Sequence, residues 1–276
     1  MYSIFHFYKH LVANKKEFIV IEKLDDFPFE NDMFASKSSG QFPDLVIKLN
    51  NNNAMFSGGE LIELKDSKSY TVSSFNSTIP SGTKDIDKII KGENSIIKKQ
   101  MNDAGNNIYS LPIRDVYYLI RGKSKGNIKI VLVKGDFFET VNTENLISQS
   151  FEKVLEERLI EKGISINEDT KKILIDVFSE QSNFSKVRNI DKASVKLRFR
   201  IMTEVKAEAN ILNSLKYPEI KDNTINLIVP KHKQEDEILT MKKFSSVFNK
   251  QEIKQFDIFD IHHLLNGYFN VFQINI

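Results

Sequence analysis

Pro43–Lys65 reads PDLVIKLNNNNAMFSGGELIELK, and the two apolar runs around its polar middle decide how the rest of the chain is arranged. Asp44–Leu49 and Glu60–Lys65 are rich in aliphatic and β-branched residues and are bounded by turn signals, so each is expected to form a β-strand. Asn50–Gly59 supplies the polar and glycine residues of a hairpin connection. In the second run Glu63 and Lys65 share one strand face, while Glu60, Ile62 and Leu64 point the other way. If the two strands pair, Asp44 lies close to Glu63 at one end of a sheet.

Outward from this pair, the first half continues mainly as strands. Val116–Ile120 and Ile128–Val133 are two more, joined by the turn-prone Gly122–Gly126, and Phe18–Lys23 is a further short apolar run. The N-terminal MYSIFHFYKHLVANKKEF lacks the order of a secretory signal and predicts an amphipathic helix with Phe5, Tyr8 and Leu11 or Val12 on one face. Residues 85–101 place Ile86, Ile89, Ile90, Ile96 and Ile97 at near-helical spacing, interrupted by Gly92.

The second half reads as mainly helical. Asn142 or Thr143 is expected to cap a helix that runs to about Lys162 and is stopped by Gly163, and a second helix covers 169–180. Residues 192–216 also favour helix, because Val195, Phe199, Met202, Val205, Ala209 and Leu212 keep helical spacing over a run too long for one strand. Ile225–Val229 is a short strand, and Tyr268–Ile276 a final one after a helix near Ile258–Leu265 with Gly267 as its stop. The simplest division is a catalytic core over 1–140 and a mainly helical elaboration over 141–276, packed on the core and serving DNA binding or dimerisation.

Composition narrows the function classes. A hydrophobic share of 41% and a charged share of 28% are those of a soluble globular protein. Cysteine is absent, which excludes disulfides and thiolate metal sites and fits a reducing cytoplasm, the expected location. No apolar run approaches the roughly 18–20 residues that span a bilayer. A net charge of +2 announces no polycation, so a nucleic-acid enzyme of this composition would have to gather its positive charge in one cleft. Phosphate-loop, GxGxxG and GxSxG signatures are missing. The five histidines form no ligand pattern: His262 and His263 are adjacent, and His6 and His10 have helical spacing but no accompanying third ligand.

Phosphodiester cleavage needs an activated water, charge stabilisation at phosphorus and help for the leaving oxygen. Mg²⁺ prefers hard oxygen donors and usually takes one or two carboxylates, leaving room for water and phosphate. Asp44, Glu63 and Lys65 supply that minimal set. The acidic-x-Lys string also occurs at Asp66–Lys68, Asp169–Lys171, Glu204–Lys206, Glu219–Lys221 and Glu252–Lys254, but only Glu63–Lys65 combines it with an apolar β-run and a preceding Pro-Asp strand. The competing reading is a solvated strand edge whose charges serve solubility.

Pro43-Asp44 followed by Glu63-Leu64-Lys65 resembles the PD-(D/E)XK nuclease superfamily, and over about residues 40–135 the chain looks like a Type II restriction endonuclease. The resemblance implies an α/β fold with a restriction-endonuclease-like core, a mixed central β-sheet flanked by helices. It implies Mg²⁺ held by Asp44, Glu63 and the carbonyl of Leu64, with Lys65 orienting or deprotonating the attacking water. It also implies one more upstream acid, for which Glu30 is the candidate and Glu22 or Asp26 the substitutes. The partner would be double-stranded DNA, cut by a homodimer because two like sites are needed for both strands of a palindrome.

Asp66–Gly82 is dense in hydroxyl and amide side chains, so Ser73, Ser74, Asn76, Ser77 and Thr78 are candidate DNA contacts, with an ordinary polar loop as the alternative. Lys84 joins them as a phosphate contact, and Lys68, Arg114, Arg121, Lys123 and Lys125 form a basic surround. Lys196, Arg198 and Arg200 form a second basic cluster. Two further readings stay open: a structure-specific repair or junction nuclease, and a DNA-binding module without catalysis.

Overall fold

In the computed structural model, the described residues are 1–36, 42–49, 58–72, 74–76, 80–90, 95–139, 143–179, 202–231 and 234–276. The chain opens with helix α1 (Tyr2–Ala13) and a single helical turn α2 (Glu17–Val20), followed by a 3₁₀ turn at Leu24–Asp26. Strands β1 (Phe34–Ser36), β2 (Leu45–Ile47), β3 (Leu61–Ser67), β4 (Ser74–Asn76) and β5 (Thr83–Asp85) come next. Helices α3 (Ile86–Ile89) and α4 (Ile96–Asp103) precede the long strands β6 (Ile113–Ser124) and β7 (Asn127–Lys134). The helical pair α5 (Thr143–Lys162) and α6 (Glu168–Ser179) follows, then β8 (Met202–Glu204) and β9 (Thr224–Pro230). Helices α7 (Gln234–Val247) and α8 (Lys250–Ile253) lead into the hairpin β10 (Asp257–His263) and β11 (Gly267–Asn275).

Nine of these strands form one open, mixed sheet in the order β1-β2-β3-β6-β7-β9-β11-β10, with β5 pairing the start of β6. The β3–β6 and β7–β9 pairs are parallel and the others antiparallel. The fold is therefore α/β with a mixed sheet flanked by helices. Strand alternation sorts the apolar side chains into two layers. Ile62, Tyr117, Leu119, Ile130, Leu132, Leu227 and Phe272 fill one, beneath α1 and α7, where the Phe5 and Phe244 rings lie 5.5 Å apart. Leu61, Val116, Tyr118, Ile120, Val131, Val133 and Val271 fill the other, covered by Ile86, Ile97 and Met101 and by Ile211, Leu212 and Tyr217. Helix α1 is anchored by Tyr8, whose hydroxyl lies 2.9 Å from the Ile225 carbonyl on β9 and 2.6 Å from that of Phe272 on β11. Among the described residues no helix is long and apolar enough to cross a membrane.

Several local expectations change. Ile258–Leu265 is not helical: β10 pairs with β11 in register Ile258↔Phe272 and Ile261↔Phe269, and Gly267, at φ +79°, turns this hairpin. Of 192–216, residues 192–201 lie outside the described set, and the remainder is β8, a 3₁₀ turn at Ala207–Ala209 and irregular chain. Long-range bonds hold this stretch instead: Asn210 accepts from Val72 N at 3.1 Å and donates to the Tyr70 carbonyl at 3.1 Å, tying it to the segment after β3. The Phe18–Lys23 run is a helical turn and an extended exit, not a sheet strand. The 85–101 pattern resolves into two short helices, with 91–94 outside the described residues. Gly163, at φ +62°, follows the last residue of α5 as expected. The portion beyond residue 140 carries helices, yet it also contributes β9, β10 and β11 to the same sheet as β2 and β3, so it is less helical than its periodicity implied.

Candidate active site

Asp44 stands one residue before β2, where the register Leu45↔Ile62 sets it opposite Glu63. Its amide donates to the Ile62 carbonyl at 3.1 Å, and its Oδ2 accepts from Leu64 N at 2.8 Å. The carboxylate is thus pinned to the backbone of β3 beside the Glu63 side chain. The N–H and C=O of one strand residue point to the same side, so the Leu64 carbonyl also faces Asp44. Alternation puts Glu63 and Lys65 on the second-layer face with Tyr118 and Ile120, while Ile62 and Leu64 pack into the first layer. Lys65 Nζ is 3.9 Å from Glu63 Oε1 and 5.2 Å from the centre of the Phe75 ring. That ring packs on Tyr118 at 4.9 Å and on Phe138 at 5.2 Å, which gives the lysine a rigid floor.

A second lysine faces the same carboxylate. Lys84, on β5, is largely buried; desolvation pulls its ammonium down to about 8, against the opposing pull of Glu139 and Glu63. Its Nζ lies 5.5 Å from the Phe42 ring centre. Glu139 is held in turn by Gly82 N, which donates to its Oε2 at 2.8 Å. Burial and the Glu63 charge push the Tyr118 phenol well above its ordinary value, so it stays neutral. Beside Lys65 opens a cleft of about 350 Å³, lined by Lys65, Asp66, Ser67, Lys68, Ser69 and Thr71 over Val72 and Ile120.

Glu30, the expected upstream acid, stands away from Asp44 and Glu63, whereas Asp25 feels the charge of Asp44. Glu30 sits beside His10, 3.5 Å from its Nδ1, near the far end of β2, and its side chain is 62% exposed. Glu22 offers its carbonyl, not its carboxylate, to the interior. Asp25, in the 3₁₀ turn, has its carboxyl pushed up first by burial and then by the charges of Asp44, Asp26 and Asp66. Only its adjacency to Asp26 signalled it in the sequence.

The remaining site residues divide. Ser73, Ser77, Thr78, Lys196, Arg198 and Arg200 lie outside the described residues. Ser74 and Asn76 flank the buried Phe75 on β4, which pairs with β8 in register Ser74↔Glu204 and Asn76↔Met202. Arg114 and Arg121 are buried and do not form a phosphate-facing surface. Arg121 is fully enclosed because its whole fork is consumed internally, by Asp66 and by backbone carbonyls. Lys123 likewise donates to the Ile21 carbonyl at 3.1 Å.

Among the described residues there is no cluster of three or more His, Cys, Asp or Glu placed to hold a metal. The donor set at the strand ends is smaller but chemically suited to Mg²⁺, with two carboxylates and a carbonyl, all hard oxygens, leaving positions for water. No protein-family model, curated protein or solved structure matches this chain.

Proposed function

We propose that the chain is a Mg²⁺-dependent endodeoxyribonuclease with a restriction-endonuclease-like core, a Type II restriction enzyme that hydrolyses double-stranded DNA at specific sequences. One observation carries the reading: Asp44 Oδ2 accepts from Leu64 N at 2.8 Å, which brings Asp44 beside Glu63 with Lys65 Nζ 3.9 Å from that second carboxylate. An arrangement that served solubility alone would not turn both acids and a lysine toward one sheet end over a packed aromatic floor. Mg²⁺ bound by Asp44, Glu63 and the Leu64 carbonyl would supply charge to the phosphate and acidify a water. Lys65 is suited to orient that water through its ammonium N–H donors, since it is close to Glu63 yet borders the open cleft, whose solvent can carry the proton away. Lys84, on β5, offers a positive charge to a phosphate oxygen. The hydroxyls and Lys68 along the cleft suit a nucleic-acid backbone. Activity as a homodimer in the cytoplasm belongs to the same proposal.

The test is a plasmid digest with Mg²⁺, mapped to the nucleotide. Discrete fragments that vanish in Asp44→Ala and Lys65→Ala support the reading. Undiminished cleavage by both variants refutes the site. Preference for branched over linear DNA would instead identify a structure-specific nuclease, and absence of any Mg²⁺-dependent cleavage a binding module.

A further inference from the structure

Asp66 follows Lys65 on β3 and by alternation leaves the strand on the opposite face, away from the candidate cation site. There it meets Arg121, its direct register neighbour on β6. Arg121 Nε donates to Asp66 Oδ1 at 2.7 Å and Nη2 to Oδ2 at 2.6 Å, a two-point fork. The same guanidinium donates from Nη1 to the carbonyls of Phe18 at 3.2 Å and Ile21 at 3.0 Å, and from Nη2 to that of Glu22 at 2.8 Å. Asp66 Oδ2 in addition accepts from Leu24 N at 2.8 Å, and Lys123 Nζ reaches the Ile21 carbonyl at 3.1 Å. Arg121 and Lys123 thus tie residues 18–22 to β6, and Asp66 ties Leu24 to β3, the strand that carries Glu63 and Lys65. The next residue in that tied segment is Asp25, whose carboxyl senses the charge of Asp44.

We propose that the Asp66–Arg121 pair is a positioning device for the candidate cation site, fixing the Leu24–Asp26 turn, and Asp25 with it, against the acidic ends of β2 and β3. The inference rests on the cation-site reading above. An apolar plug would fill the space at Arg121 at least as stably. What it would not do is set direction, because only a planar fork with several donors dictates where three separate carbonyls and one carboxylate must lie. Asp66 therefore acts through Asp25 and through the strand it shares with Lys65, without touching the cation.

The experiment is a calorimetric titration of the full metal-free chain with Mn²⁺, at a temperature where circular dichroism shows each variant folded. Asp66→Ala and Asp25→Asn are each expected to weaken Mn²⁺ binding by about tenfold, the size usual for outer partners of a metal site. The double variant is expected to bind no more weakly than the weaker single one, because both changes act on one element. Wild-type affinity in Asp66→Ala, or a double variant that loses the product of the two single effects, overturns the proposal. If Asp66→Ala does not fold, Asp66→Asn, which keeps an acceptor for Leu24 N–H, carries the same comparison. Failure of the unaltered chain to bind Mn²⁺, or unchanged binding in Asp44→Asn, refutes the cation site itself, an outcome distinct from failure of the positioning role.

Discussion

Replacing Lys84 with methionine removes a charge while keeping the length of the side chain, and its effect on stability should depend on pH in a defined direction. Burial holds the folded-state value near 8 against an ordinary 10.5. At about 1.4 kcal/mol per tenfold, that gap is worth roughly 3 kcal/mol. Because the folded value lies below the unfolded one, the folded protein releases this proton first. Between about pH 8 and 10.5 the unfolded chain holds the extra proton, so stability conferred through this group rises with pH. Below pH 8 the charged lysine is a liability, and by pH 10.5 the liability is gone. Urea denaturation of metal-free wild type and Lys84→Met, from pH 7 to 10, separates this group from the rest of the protein. The wild type should gain about 2–3 kcal/mol on the variant over that range. A difference that stays flat, or that falls as pH rises, would show that Glu63 and Glu139 outweigh burial and would refute the argument. A buried charge kept at such a cost is the mark of a group retained for a task other than stability.

The other expectations are equally direct. Asp44→Asn and Glu63→Gln should each lower Mg²⁺-dependent cleavage by about a hundredfold or more, as removal of a group that stabilises transition-state charge does, with circular dichroism unchanged; wild-type rates would remove that residue from the site. Arg121→Met leaves Asp66 and the carbonyls of Phe18, Ile21 and Glu22 without their donor and should cost about 3–5 kcal/mol in urea denaturation. A loss below about 1 kcal/mol would mean that water replaces the guanidinium at little cost. A Cβ on Gly135 would overlap the Ser81 carbonyl, so Gly135→Ala should destabilise by about 1–3 kcal/mol in a thermal melt by forcing β7 away from the segment before β5, and an unshifted melt would contradict that packing.

Much of the sheet was legible in the sequence because β2, β3, β6 and β7 carry long aliphatic runs between strong turn residues, and α1 shows its buried face at helical spacing. Asp44 and Glu63 were legible for a related reason: the strand period alone fixes which side chains share a face, and a polar, glycine-bearing connection between two apolar runs points to their pairing. Strand β10 was not. Ile258, Ile261 and Leu265 fit a helix stripe as well as Phe259, Ile261 and His263 fit a strand, and only hydrogen bonding to β11 decides between them. Arg121 read as one more surface cation, because nothing local reveals that its partners are carbonyls a hundred residues upstream. Asp25 escaped for the same cause, since the bond that seats its turn runs from Leu24 N to Asp66, 42 residues downstream.

Tyr8 has a consequence for how such a chain is made. Its hydroxyl seats the first helix over carbonyls of residues 225 and 272, so α1 has no finished docking surface until the last strand has slipped between β9 and β10. At a ribosomal pace of about 5–20 residues per second, the aromatic face of α1 waits for the 264 residues up to Phe272 before it has its cover. A product cut short before Phe272 would leave Phe5, Tyr8 and Phe244 facing water beside an unpaired strand edge, a surface that invites capture by chaperones or aggregation. Emergence of β11, 264 residues after Tyr8, is the event that covers α1.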